Sequence, residues 1–406
     1  MILAISWRNV WRSKTRSFVI LFAIALGIFT GVFNYAFYNG MALQRINSAI
    51  STEASHIQIH PQGYLEDPDE KQFISKAEQL AAQISEIDSV KAASSRFIVQ
   101  GMIQSPSTSS GIKVFGVQPD KEAEVTNLYS KIIDGAYFEG IKRNPVIIGK
   151  KLADKLKIKV RSKVVITFSD KEGYISGASF RVAGIFETSN TMYDGGNVFV
   201  RTEDLTNLYG TDATAGHEIA VLLDHSDMVT NINQKLKTKY ASYDVRDWRE
   251  IMPQVSMLES SLDISMYIFM IIILLALIFG IINTMLMAVL ERTKELGMLM
   301  SIGMNKARVF RMIMVETVLL SLIGGVVGIV MGIVVTLLTA KSGIDISIVA
   351  EGFGAMGYDS IVYPVLKVQN VVDVVIMVFI TGMLAAIYPA MKALKLKPAE
   401  AIRIDM

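Results

Sequence analysis

Four long stretches without a charged side chain constrain this chain more than any other feature. Phe18–Tyr38 runs 21 residues, Ile264–Leu290 27, Thr317–Ala340 24 and Val374–Met391 18. About 20 apolar residues in a helix cross the hydrocarbon core of a bilayer, so the first three qualify on length alone. Val371 and Val372 extend the fourth past Asp373 toward the interface. A secretory signal peptide is the rival reading of the first run. That run is long for a signal's apolar region, however, and no small-x-small cleavage site follows it. The expectation is a membrane protein with four transmembrane α-helices and a large extracytoplasmic α/β (α+β) domain inserted between helices 1 and 2.

Orientation follows from lysine and arginine near the span ends. The N-terminal tail carries Arg8, Arg12, Lys14 and Arg16, and the segment between spans two and three carries Arg292, Lys294, Lys306, Arg308 and Arg311. The C-terminal tail adds Lys392, Lys395, Lys397 and Arg403. Between spans three and four only Lys341 and Lys367 face Asp345, Glu351, Asp359 and Asp373. Both termini and the middle segment are therefore expected in the cytoplasm. The predicted order is a cytoplasmic amphipathic helix (1–17), first span (18–40), outer domain (41–263) and second span (264–290). A charged cytoplasmic segment (291–311), third span (312–340), short outer loop (341–370), fourth span (371–391) and cytoplasmic tail (392–406) complete it.

Composition agrees with a membrane chain. Hydrophobic residues make up 51% and charged residues 19%, against about a quarter charged in soluble proteins. A net charge of +2 gives no bulk basic character, so nucleic acid is not an expected partner. The lack of cysteine excludes disulfides, thiolate zinc sites and iron–sulfur clusters.

The 41–263 segment reads as one or two α/β subdomains. Strand signals fall at His56–His60, Phe97–Ile103, Ile112–Val117, Val164–Phe168, Phe180–Phe186, Asn197–Val200 and Glu218–Leu223. Helical stretches at Lys76–Ile87, Lys150–Leu156 and Met228–Tyr240 interleave with them, and Asp67–Lys71 and Gln104–Gly111 read as loops.

Three local patterns bear on mechanism. Near the N-terminus Leu3, Trp7, Val10 and Trp11 share one helical stripe while Arg8, Arg12 and Arg16 recur on another, a split suited to the headgroup boundary. After span two, Glu291, Arg292, Lys294, Glu295, Leu296, Met298 and Leu299 continue as a charged helix that breaks at Gly303, with Asn305 as N-cap of the next. Leu296, Leu299, Met300 and Gly303 form an apolar edge there, suited to docking in a partner's groove. In span three Gly324, Gly325, Gly328 and Gly332 let another helix approach closely, and Gly324, Gly328 and Gly332 are the candidate packing or dimer face. Glu316, near the cytoplasmic end of that span, is expected to snorkel or to pair with Arg311 or Arg308.

Catalytic patterns are weak. His56 and His60 share a strand face but have no evident third metal ligand. Gly149-Lys150 is no P-loop, because Asn144 stands where the earlier glycine belongs. No catalytic, cofactor or metal residue is assigned, and any ATP hydrolysis is expected on another chain.

Three longer motifs carry a family likeness: RNVWRSKTRS at 8–17, ERTKELGMLMSIGMNKARVFRMIMVETVLLSLIGGVVG at 291–328, and YPAMKALKLKPAEAIR at 388–403. With the order of spans and insert, the chain resembles the FtsX/MacB/LolC-E superfamily of ABC transporter permeases over nearly its whole length. Within the insert, 145–158, 180–200 and 247–255 look more like the lipoprotein-releasing permeases than the macrolide exporters. Ser169–Ser179 is short where one lipoprotein-releasing permease carries a long hook, and the macrolide exporter's fused ATPase has no counterpart.

The resemblance implies that 291–304 is a coupling helix seated on a separate ATPase dimer, which binds ATP and Mg. It implies a second permease, as homodimer or paralogous heterodimer, in the bacterial inner membrane. It implies mechanotransmission that extracts or exports lipoproteins or other amphiphiles, with a periplasmic carrier or adaptor as outer partner. The competing expectations are a signal-transmitting permease that activates a cell-wall hydrolase, and an efflux permease joined to an adaptor and outer-membrane channel.

Overall fold

The computed structural model describes residues 2–394, so Lys395, Lys397 and Arg403 of the expected tail and most of the 388–403 motif lie outside the described residues. Among the described residues four helices are long and apolar enough to cross a membrane. They run Lys14–Ser48, Pro253–Glu291, Lys306–Ser342 and Val368–Leu394, each extending beyond its charge-free run. At about 1.5 Å per residue, a helix of 35 residues outreaches the bilayer core, so its ends stand in other surroundings.

The chain divides into two compact units. One, helical, holds residues through Met41, Ser260–Ile344 and the chain from Val362; the other holds Ala42–Glu259 and Asp345–Ile361. The helical unit has its own core. Ile24, Ile28 and Val32 of the first span meet Leu274, Ile281 and Met285 of the second, Ile313 and Leu320 of the third, and Val374 and Val378 of the fourth.

The α/β unit is built on ten strands: β1 (Ile57–Pro61), β2 (Val90–Gln104), β3 (Ser109–Val117), β4 (Ile132–Gly135), β5 (Pro145–Gly149), β6 (Lys163–Ser169), β7 (Ile175–Phe186), β8 (Asn197–Arg201), β9 (Glu218–Leu223) and β10 (Tyr243–Asp247). Their order is β10-β1-β9-β2-β3-β8-β5-β7-β4, and β6 bridges β2 and β7. The pairings β2-β3-β8-β5-β7-β6 therefore return to β2 and close a six-stranded ring. Closure leaves those strands no free edge, which removes a template for aggregation. Inside lie Val99, Ile103, Val114, Val146, Val164, Phe180, Val182 and Val198. A second core under β1, β9 and β10 gathers Ile57, Ile59, Ile219, Val221 and Val245 beneath Ile84, Ile232 and Leu236 of two helices.

All seven strand signals coincide with strands; β4, β5 and β10 carried none. The Gln104–Gly111 loop is tighter than read: β2 reaches Gln104 and β3 begins at Ser109. β2 serves both halves, pairing β9 up to Arg96 and β3 from Arg96 on. At that changeover Arg96 is buried between Glu122 (2.7 Å) and Glu218 (2.6 Å). A buried guanidinium is tolerated there because two carboxylates match it.

A candidate coupling surface on the helical unit

The N-terminal helix Ile2–Arg12 packs against the helix Lys306–Ser342. Ser6 is fully buried and donates to the Met312 carbonyl at 3.1 Å, and Val10 is buried beside it. The expected stripe is thus divided. Val10 faces the protein; Leu3 and Trp7 face outward, with Trp11 between the two states. Trp7 and Trp11 stack edge-to-face at 5.9 Å, and Arg8 and Arg12 are exposed. The outward face keeps its aromatic and basic character, suited to lipid headgroups.

The second span helix does not run unbroken to Gly303. It stops at Glu291, turns at Arg292 and resumes as a separate helix, Thr293–Ser301. Gly303 then takes a φ of +100°, which only glycine adopts freely, and the Asn305 side chain accepts from the Ala307 N–H at 3.1 Å. That turn and cap are where the sequence pattern placed them.

Two ion pairs hold the short helix. Arg292 Nη1 contacts Glu316 Oε1 at 3.0 Å, with both side chains largely buried, and its Nη2 donates to the Asn9 carbonyl at 2.9 Å. Glu316 therefore meets Arg292, and the expected partners Arg308 and Arg311 are both exposed. Arg12 forms a fork with Glu295, its two nitrogens 2.9 and 2.5 Å from the two oxygens. A bidentate pair is directional, but in this exposed position it adds orientation more than stability.

The apolar edge also needs correction. Leu296 is only 4% exposed and belongs to the core of the helical unit, with Leu299 packed against that core. Burying them against the protein's own spans satisfies them without a partner. The outward apolar side chains are Met298, 57% exposed, and Ile302, 78% exposed. Glu291 and Lys294 are exposed beside them. A cavity of about 80 Å³ lies behind the helix, lined in part by Asn9, Arg292, Leu296 and Glu316.

The glycine face of span three is filled from within the chain. A Cβ at Gly324 would meet Ile24 at 2.9 Å, one at Gly328 the Ala25 carbonyl oxygen at 2.5 Å, and one at Gly332 Val32 at 2.8 Å. These glycines pack the third span on the first and are not an open face for a second copy.

In the α/β unit three of the four histidines are committed to hydrogen bonds through their rings. His56 Nδ1 accepts from Leu223 N–H at 3.1 Å and His217 Nδ1 from Ile98 N–H at 3.0 Å, so the ring nitrogens are occupied in the neutral form. Burial lowers both, to about 4. His60 reaches the His217 carbonyl at 2.9 Å and stacks on Tyr64. Among the described residues no group of three or more His, Asp or Glu is arranged to hold a metal ion.

Known proteins resemble the chain in both units. The model of the MacB-like periplasmic core domain matches residues 17–239, and that of the FtsX-like permease C-terminal region matches 267–398. The lipoprotein-releasing system transmembrane protein LolC of Xylella fastidiosa is 26% identical over 306 residues, covering 71% of this chain and 72% of that protein. The macrolide export ATP-binding/permease protein MacB of Chlorobium luteolum is 32% identical over 183 residues, 44% of this chain and 24% of that protein. The crystallised periplasmic region of MacB from Actinobacillus actinomycetemcomitans aligns with a TM-score of 0.37 at 12% identity, covering 53% of this chain and 97% of that one. The chain belongs to the ABC-transporter permeases that join a MacB-like periplasmic core domain to an FtsX-like permease C-terminal region.

Proposed function

We propose that this chain is the permease subunit of a mechanotransmission-type ABC transporter that extracts lipoproteins or other amphiphiles from the outer leaflet of the inner membrane. It works as a dimer with a second permease and two separate ATPase subunits, which bind ATP and Mg. Both termini and the Thr293–Ser301 helix face the cytoplasm, where the basic clusters of Arg8, Arg12, Arg308 and Arg311 favour that side. ATP-driven closure of the ATPases moves the short helix. Arg292–Glu316 and Arg12–Glu295 then hand that movement to the third span and the N-terminal helix.

The observation that carries the substrate class is the likeness to LolC, which extends over 71% of this chain and so includes both units. The test is reconstitution in nanodiscs with its partner ATPase and a fluorescent triacylated lipoprotein. The reading expects ATP-dependent release of the lipoprotein to a soluble acceptor. ATP turnover that neither responds to the lipoprotein nor releases it would contradict that substrate class.

A further inference from the structure

The segment Asp345–Ile361 follows the third span and precedes the fourth, yet it sorts with the α/β unit. Arg45, on the last turn of the Lys14–Ser48 helix, is a buried cation that contacts it. Its guanidinium is 5% exposed and contacts Glu53 Oε1 at 3.0 Å. Its Nε donates to the Met356 carbonyl at 2.9 Å. Asn190 Nδ2 donates to the same Glu53 oxygen at 3.1 Å, and Ser48 and Ser189 share a hydrogen bond of 2.8 Å. Gln44 Nε2 reaches the Ile361 carbonyl at 3.0 Å. Gly357, at φ +82°, passes so close that a Cβ there would lie 2.5 Å from Arg45 Nε.

The segment has contacts of its own: the Ile346 N–H donates to the Ser360 carbonyl at 2.8 Å, and the Phe353 and Tyr358 rings meet edge-to-face at 5.8 Å. Here one buried cation ties it to the chain leaving the first span and, through Glu53 and Asn190, to the helix Thr191–Gly196. A buried guanidinium without its partners is costly, so the three parts are held together more firmly than a surface contact would hold them.

We propose that Arg45 is a positioning residue that makes the Asp345–Ile361 segment a fixed part of the outer domain, so that the third and fourth spans act on that domain through it. This rests on the mechanotransmission reading and names where, on the outer side, force passes between spans and domain. The Arg45 junction would keep its rigidity throughout the ATP cycle.

Two measurements on the full chain in complex with its ATPase test it. Spin labels at S109C and I348C, in a chain that has no other cysteine, report the distance between sheet and segment. With Arg45 intact, one narrow distribution should persist with and without ATP, and R45A should broaden or shift it. A parent distribution that changes with ATP, or an R45A distribution as narrow as the parent's, overturns the proposal. In the second measurement R45A should lower ATP-driven substrate release about tenfold while basal hydrolysis persists. A T191C/G354C disulfide, placed where a Gly354 Cβ would lie 3.3 Å from Thr191 Cγ2, should restore release in R45A when oxidised and lose it again when reduced. Release that stays low after oxidation overturns the proposal. If the mechanotransmission reading fails, no variant responds to ATP, and the resting distance widths still decide the role of Arg45.

Discussion

Arg292 and Glu316 meet at 3.0 Å inside the helical unit, and this pair joins the break after the second span to the third span. Glu316 is buried in a helix, and Arg292 also holds the Asn9 carbonyl, so one guanidinium links three helices.

Breaking that pair from one side should cost more than removing it whole. E316Q or R292M leaves an uncompensated charge, expected to destabilise by about 3–5 kcal/mol, whereas R292M/E316L restores an apolar core and should recover most of the loss. Thermal unfolding of the detergent-solubilised chain checks this. Equal losses in the single and double variants would mean that the pair contributes nothing as a pair.

Gly328 should tolerate no side chain. In G328A the new Cβ presses on the Ala25 backbone oxygen, which cannot rotate away as a flexible side chain would. Separating the first and third spans loses van der Waals contact that lipid does not replace. A lower melting temperature of the single chain is expected. Weaker dimerisation at unchanged chain stability would instead return the glycine to an interface between copies.

The α/β unit should weaken in mild acid, in part through His217. Its folded value is pushed down to about 4 by burial, below the ordinary 6.5, so the unfolded chain binds more protons between those values. Stability from this group is complete above about 6.5 and falls as the pH drops toward 4. From pH 7 to pH 5 the loss is about 2 kcal/mol relative to a variant without the histidine. H217Q should therefore show a shallower fall in melting temperature over that range than the parent. Parallel curves would mean that the ring is not held neutral.

Topology has a direct chemical assay. S109C, in the α/β unit, should react with an impermeant thiol reagent on intact spheroplasts, and S301C should react only after lysis. Labelling of S301C in intact spheroplasts would overturn the proposed orientation.

Much of the architecture was legible in the residues because its cause is local. A charge-free run longer than a bilayer core declares itself, as do Gly303 in a left-handed turn and Asn305 at a cap. What depends on distant neighbours was hidden. Leu296 and Met298 are both apolar and two positions apart, and only the N-terminal helix and the third span packed beside Leu296 decide which faces inward. The three glycines show that a helix approaches but not which one. The Pro145–Gly149 strand is uniformly buried and so shows no alternation, and Arg45 reads as an ordinary basic residue after a span until Glu53 and Met356 are placed around it.

The central claim is that the Thr293–Ser301 helix seats on an ATPase through its exposed side chains. Met298 and Ile302 are the outward anchors, and truncated or charged hot spots of this kind typically cost about 2–4 kcal/mol of binding. M298E/I302E should therefore release the co-expressed ATPase on purification while the permease melts as the parent does. L296A should instead destabilise the permease itself by about 2–5 kcal/mol, as buried leucines do. An M298E/I302E permease that still carries its ATPase in full, with unchanged ATP-driven release, would contradict the assignment of this helix as the coupling element.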